Sequence, residues 1–282
     1  VRSIRKLEIR ALLPRRAAGT HKGDAGHLLI VAGSPGKGGA AVLAARGALR
    51  GGAGLVTVAA PAAVQPQIAL ALPEAMTLML GSPSEAARQE LVRGRKGYVI
   101  GPGLGQGKEA GALLRWLLRN AAVPAVLDAD ALNLLAPIQR VLRRSGPEPV
   151  LTPHPGEMAR LLGCSTTAVQ ADRAAAALRL ASLAGSVVVL KGSGTLVATP
   201  DGRLVRNSTG GPLLATGGTG DVLAGLLGAL LVQGLAPFDA ARCAVWLHGA
   251  AGDRLARRIG DAGLLASELA DELPPIRRAL LA

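Results

Sequence analysis

Short aliphatic runs alternate with amphipathic stretches along almost the whole chain. The runs His27–Ala32, Leu55–Ala59, Ala75–Leu80, Tyr98–Ile100, Ala125–Leu127, Pro149–Leu151, Val187–Leu190 and Thr195–Ala198 are short and continuously apolar, and predict strands. Stretches with helical spacing predict helices near 39–51, 84–93, 107–120, 130–136, 156–162 and 168–184. Strands that are apolar on both faces and alternate with helices argue for a mainly parallel sheet covered on both sides. Leu196–Ala198, Pro200-Asp201-Gly202 and Arg203–Arg206 read instead as a hairpin at the sheet edge. After residue 215 the pattern is purely helical, near 219–233, 237–257 and 263–270. The expected fold class is α/β, a single domain with a mainly parallel central sheet and helices on both faces. Residues 1–20 are expected as an N-terminal arm, loosely attached or docking, and 21–282 as the domain.

Composition narrows this picture. The chain has 282 residues and four aromatics, so its core is aliphatic. The longest apolar candidate, Val222–Ala236, is too short for a membrane span and carries Gln233 and three glycines, which fits a buried core helix. No secretory signal is visible, and no membrane partner is expected. Cys164 and Cys243 fit no metal-ligand spacing and read as reduced, in keeping with a cytoplasmic setting.

The net charge of +13 raises a nucleic-acid reading, in which a basic protein binds DNA with steep salt dependence. That partner is not expected here. Twenty-six of the 32 basic residues are Arg, scattered over helix faces rather than gathered in a run, and aromatics that would stack on bases are nearly absent. What the charge does imply is attraction of anionic small molecules such as nucleotides.

The chemistry gathers in glycine-rich segments that follow strands or open helices, where ligands collect in parallel sheets. In Thr216-Gly217-Gly218-Thr219-Gly220-Asp221 a turn without bulky side chains meets the start of an apolar helix. Its unpaired N–H groups and helix dipole suit an anion, with Gly218, Thr219 and Gly220 as the anion hole. Asp221 reads either as a helix cap or as a base facing a transferring phosphoryl group. Gly33–Gly39 lacks the Walker pattern because Gly38 follows Lys37, and Gly101–Gly107 lacks dinucleotide spacing; a tight strand-to-helix turn is the alternative for each. In Thr152-Pro153-His154-Pro155-Gly156-Glu157 two prolines stiffen the backbone around His154, and Glu157 at a helix start can hold water on magnesium or form part of a capping box. Lys191-Gly192-Ser193-Gly194-Thr195 is either a nucleotide-phosphate turn or a plain hairpin turn. Asp128 is read as reaching the cleft and Asp130 as an N-cap, while Lys22-Gly23-Asp24 either closes over a ligand or forms a surface turn.

Taken in order, His21-Lys22-Gly23-Asp24, Ala32-Gly33-Ser34, Gly39-Ala40-Ala41, Gly52-Ala53-Gly54, Gly101-Pro102-Gly103-Leu104-Gly105, Asp128-Ala129-Asp130-Ala131-Leu132-Asn133, Thr152–Glu157, Lys191-Gly192 and Gly217–Asp221 make a set far more specific than any member. From about residue 20 to about 255 the chain resembles the ADP- or ATP-dependent NAD(P)H-hydrate dehydratases, of ribokinase-like fold. The resemblance implies a substrate, the S form of hydrated NADH or NADPH (NADHX, NADPHX), with ADP or ATP spent to restore NADH or NADPH and Mg²⁺ required. It implies that Ala40, Gly103, His154 and Asp221 contact the hydrate, and that Lys191, Gly192, Ser193, Gly194, Thr195 and Gly220 contact the adenine nucleotide. Relatives suggest a homotetramer. Bacterial members are often fused behind an epimerase domain for the same substrate, and a start at Val1 leaves open that this is a piece of such a protein. Vitamin-precursor kinases of the same fold are the alternative, and the His154–Glu157 segment with Lys22-Gly23 favours the dehydratase.

Overall fold

The apolar runs pair into one ten-stranded sheet, described in a computed structural model for residues 1–81, 84–139, 142 and 145–282. The strands are β1 (Arg2–Ser3), β2 (His27–Val31), β3 (Leu55–Pro61), β4 (Met76–Leu80), β5 (Gly97–Ile100), β6 (Ala125–Leu127), β7 (Val150–Leu151), β8 (Val187–Leu190), β9 (Leu196–Ala198) and β10 (Leu204–Arg206). They lie in the order β1-β10-β9-β8-β7-β6-β5-β2-β3-β4, parallel throughout except where β9 runs against β8 and β10. The expected hairpin forms, but β1 pairs in parallel outside β10, so the outermost strand comes from the N-terminus.

Burial of both sheet faces explains the lack of alternation in the strands. One face is covered by α1 (Lys6–Leu12), α2 (Gly38–Gly51), α3 (Gln65–Ala71), α10 (Thr219–Val232), α11 (Pro237–Ile259) and α12 (Ala266–Leu281). The other carries α4 (Glu85–Val92), α5 (Lys108–Asn120), α6 (Asp130–Leu135), α7 (Pro155–Leu162), α8 (Thr166–Ala171) and α9 (Arg173–Ala184). The stretch expected as one helix over 168–184 divides at Asp172, whose carboxylate accepts the Ala175 N–H and caps α9. α12 runs through Pro274 and Pro275, well past the stop expected near residue 270, because its buried Leu269, Leu273 and Leu280 hold it to the core. Residues 1–13 dock through buried Ile4, Ile9 and Leu13.

α10 is apolar on all sides and buried, as its sequence anticipates. It packs backbone-close on α2: a Cβ on Gly225 would fall on the Ala44 carbonyl, and one on Gly47 would fall on the Val222 carbonyl. That contact sets the N-terminus of α10 beside the first turn of α2, at the carboxyl ends of the strands.

Candidate functional site

Five neighbouring parallel strands, β8-β7-β6-β5-β2, end on one rim. In that order their ends carry Lys191, Thr152 to His154, Asp128, the Gly101 loop and the Gly33 loop. The chain reverses its winding between β5 and β2, which is where parallel sheets open a ligand crevice.

Lys191 sits at the centre. Its Nζ lies 2.7 Å from Asp128 Oδ1 and 3.8 Å from Glu157 Oε2. Thr152 Oγ1 donates to the same Asp128 oxygen at 2.7 Å. Burial works against the Lys191 ammonium, but Asp128 and Glu157 outweigh it and raise the pKa, keeping the charge. The ammonium faces the start of α10, for a Cβ on Gly220 would stand 3.5 Å from Nζ.

At that helix start Gly218 is the N-cap in the left-handed region (φ 91°), and no side chain caps the helix. The Val222 N–H reaches the Gly218 carbonyl at 3.2 Å, and the Thr219 N–H reaches Thr216 at 3.4 Å. The amides of Gly220 and Asp221 precede the first i→i−4 bond of the helix and have no intrahelical acceptor. Asp221 is half-buried, and its carboxylate has no hydrogen-bond partner among the described residues, so it does not cap α10. Burial and the neighbouring Asp128 push its pKa up to about 7 against the pull of Lys191. A carboxylate poised near neutrality is suited to accept a proton.

His154 is the N-cap of α7 and partly exposed; its Nδ1 accepts the Gly156 N–H at 3.0 Å. Glu157 Oε2 accepts the His154 N–H at 2.8 Å, so the capping box is formed. Asp130 is the first residue of α6 rather than its N-cap. Its carboxylate accepts the Gly105 N–H at 2.8 Å and the Gln106 side chain at 3.0 Å, while Ala129, at φ 48°, occupies the cap. Burial opposes its ionisation, but those hydrogen bonds and Lys37 prevail and lower the Asp130 pKa.

A cavity of about 570 Å³ joins His154, Lys191–Thr195, Asn207, Thr209–Pro212, Leu214–Thr216 and the start of α10. The Lys191–Thr195 turn is held from outside: Arg173 donates to the carbonyls of Leu190 (3.2 Å), Lys191 (3.1 Å) and Ser193. Arg206 lies against Gly194. Sequence reasoning missed Arg173, because an arginine opening a helix looks like any solvated face. It also missed His248 on α11. Its Nε2 donates to the Thr219 carbonyl at 2.9 Å, and burial brings its pKa down to about 4, so the ring is neutral.

Ala40 and Gly103 meet on the far side of the crevice. A Cβ on Gly103 would stand 3.1 Å from the Ala40 Cβ and 2.8 Å from the Lys37 carbonyl oxygen. One turn along α2 from Ala40, Leu43 fills the space beside Gly218. The structure thus brings the α2 start, the Gly101 loop and the α10 start to one crevice. Lys22, Gly23 and Asp24 form a turn on the opposite edge: the Asp24 N–H bonds His21, and the Lys22 carbonyl lies against Gly54 at the start of β3.

Known proteins share this chain's sequence and fold. The chain matches the family model of the NAD(P)H-hydrate dehydratases over residues 28–275. It is 45% identical over 260 residues to an ADP-dependent (S)-NAD(P)H-hydrate dehydratase of Neisseria meningitidis, covering 90% of this chain and 86% of the relative. It is 47% identical to the bifunctional NAD(P)H-hydrate repair enzyme of Moorella thermoacetica across 96% of this chain, and spans about half (53%) of that relative's length. A solved ADP/ATP-dependent NAD(P)H-hydrate dehydratase from Bacillus subtilis, co-crystallized with ATP/Mg²⁺, has a TM-score of 0.90 at 35% identity, with 99% of each chain covered. The fold is ribokinase-like. With a family model spanning most of the domain, and a 45% identical relative covering 90% of the chain, the chain belongs to the NAD(P)H-hydrate dehydratase family.

Proposed function

We propose that this chain dehydrates the S form of NADHX and NADPHX to NADH and NADPH at the expense of ADP or ATP. The observation that carries this is Asp221: half-buried, without a hydrogen-bond partner among the described residues, with a pKa near 7, and beside the free amides of α10 and the Lys191 ammonium. Hydroxide is a poor leaving group, so the ring hydroxyl must first be activated. Asp221 takes the hydroxyl proton, the oxygen attacks the terminal phosphorus of the nucleotide, and the shortened nucleotide leaves. The Gly220 and Asp221 amides and the Lys191 ammonium bear the charge of the transferred group. The ring nitrogen lone pair then expels phosphate, and loss of a proton from the adjacent ring carbon restores the double bond.

The cavity beside Lys191–Thr195 and Gly220 suits the nucleotide, and the crevice between Ala40, Gly103, His154 and Asp221 suits the hydrate. Among the described residues no three ligating side chains converge on a metal position. This fits Mg²⁺ carried chiefly by nucleotide phosphates and water, with Glu157 as an outer carboxylate acting through water. The ion would neutralise phosphate charge.

Self-association, expected as a tetramer, is supported by the edge strand β4, which exposes Met76 and Met79. An epimerase, fused or separate, is supported by the bifunctional Moorella relative. A cytoplasmic location is in keeping with the free cysteines, and among the described residues no helix is long and apolar enough to cross a membrane. The test is to mix the protein with hydrated NADH, Mg²⁺ and ADP or ATP and follow absorbance of the reduced nicotinamide. Recovery is expected; its absence with both nucleotides moves the assignment to a small-molecule kinase.

A further inference from the structure

We propose that Asp130 is a positioning residue for the hydrate side of the crevice, clamping the Gly101–Gly107 loop to the Gly33–Gly39 loop so that Ala40 and Gly103 present one fixed surface. The consequence for catalysis rests on reading that surface as the hydrate subsite.

The two loops follow β5 and β2, one on each side of the winding reversal, and no regular pairing joins them beyond the strands. Asp130 has a side chain that reaches both. Its buried carboxylate takes the Gly105 N–H at 2.8 Å on Oδ2 and the Gln106 amide at 3.0 Å on Oδ1, while Lys37 Nζ of the other loop lies 3.6 Å from Oδ2. Two direct hydrogen bonds also cross the seam: Ser34 Oγ donates to the Gly103 carbonyl at 2.8 Å, and the Gly33 N–H to the Pro102 carbonyl at 2.9 Å. α6 receives no side-chain cap, and besides Asn133 of its own helix this carboxylate serves the neighbouring loop.

The turn is built for that purpose. Ala129, the one non-glycine residue at positive φ among those described, lies between Asp128 and Asp130. Such strain persists only where the surroundings over-determine it. Asp128 serves Lys191 and Thr152 on the nucleotide side, and Asp130 serves the loops on the other. Two carboxylates, on either side of Ala129, thus brace the two halves of one site.

The experiment compares wild type, Asp130→Ala and Asp130→Asn, first by hydrogen exchange without ligand and then by kinetics with hydrated NADH and ADP. In Asp130→Ala, exchange over 101–107 should speed at least about tenfold while 191–195 is unchanged. KM for the hydrate should rise about tenfold with kcat and the KM for ADP within about twofold. Asp130→Asn keeps an acceptor oxygen and should fall between. Unchanged exchange over 101–107, or equal rises in KM for both substrates, would overturn the clamp. If Asp130→Ala does not fold, Asp130→Asn and Gln106→Ala carry the same readings. A wild type that restores no NADH would defeat the substrate assignment, and the exchange result would still decide the clamp.

Discussion

The starts of α10 and α2 use one backbone device, a glycine-rich loop running into a helix, and fill it differently. At α10 the half-buried Asp221 stands in the first turn with the Lys191 ammonium against Gly220. At α2 the first turn has no acidic residue, and Lys37 is largely exposed, its side chain 56% accessible. Both offer backbone amides, but only α10 carries in its own first turn a carboxylate shielded from water, where charge and pKa respond strongly to neighbours. Reaction chemistry therefore belongs to α10. The start of α2 offers a surface to lie against.

The largest expected effect that would break this contrast comes from Asp221→Asn. Turnover should fall by about 10³-fold or more, while nucleotide binding, measured by calorimetry, stays largely intact. Near wild-type turnover would remove the base role. The same variant tests the electrostatics. Because the folded pKa of Asp221 is raised to about 7, the unfolded chain loses this proton first, and stability declines as pH rises from about 4 to about 7. Asp221→Asn should therefore be stabilised at pH 8, on the order of 2 kcal/mol by thermal melting, with little gain near pH 4.

The pH profile of the wild type is the second test. A base with a pKa near 7 requires kcat/KM to fall about tenfold per pH unit on the acid side of about pH 7. A flat profile down to about pH 5 would place proton removal elsewhere.

A smaller effect separates the two helix starts directly. A Cβ on Gly217 or on Gly39 meets nothing within 4 Å, and neither residue is at positive φ, so Gly217→Ala and Gly39→Ala should melt like wild type. If a phosphate rests on the α10 start, the Gly217 methyl should cost about tenfold in kcat/KM, equivalent to one weakened hydrogen bond of about 1.4 kcal/mol. The Gly39 methyl should raise only the KM for the hydrate, by about two- to fivefold. Equal effects would erase the distinction.

How much was legible beforehand follows the physics of each feature. Continuous apolar runs announced the parallel strands, since burial on both faces removes alternation, and the all-apolar stretch of α10 announced a buried helix. Residues 2–3 carried no such signal, because a two-residue strand is created by its partner β10. The helix expected near 263–270 continues through Pro274 and Pro275 because core packing holds it. The capping alternative for Asp221 stayed open in one dimension, since Asp is common at helix starts; in three, Gly218 takes the cap and no side chain caps the helix.

By itself the chain's order of residues determined the α/β architecture, the rim on which the glycine-rich loops gather, and the family. These depend on local periodicity and on motifs short enough to read along the chain. Only the tertiary structure decided which charges act together. Asp128 and Lys191 lie 63 residues apart and close to 2.7 Å, and His248 reaches Thr219 across 29 residues. Such pairings arise when helices and strand ends converge, and a charge's strength depends on how much water that convergence excludes.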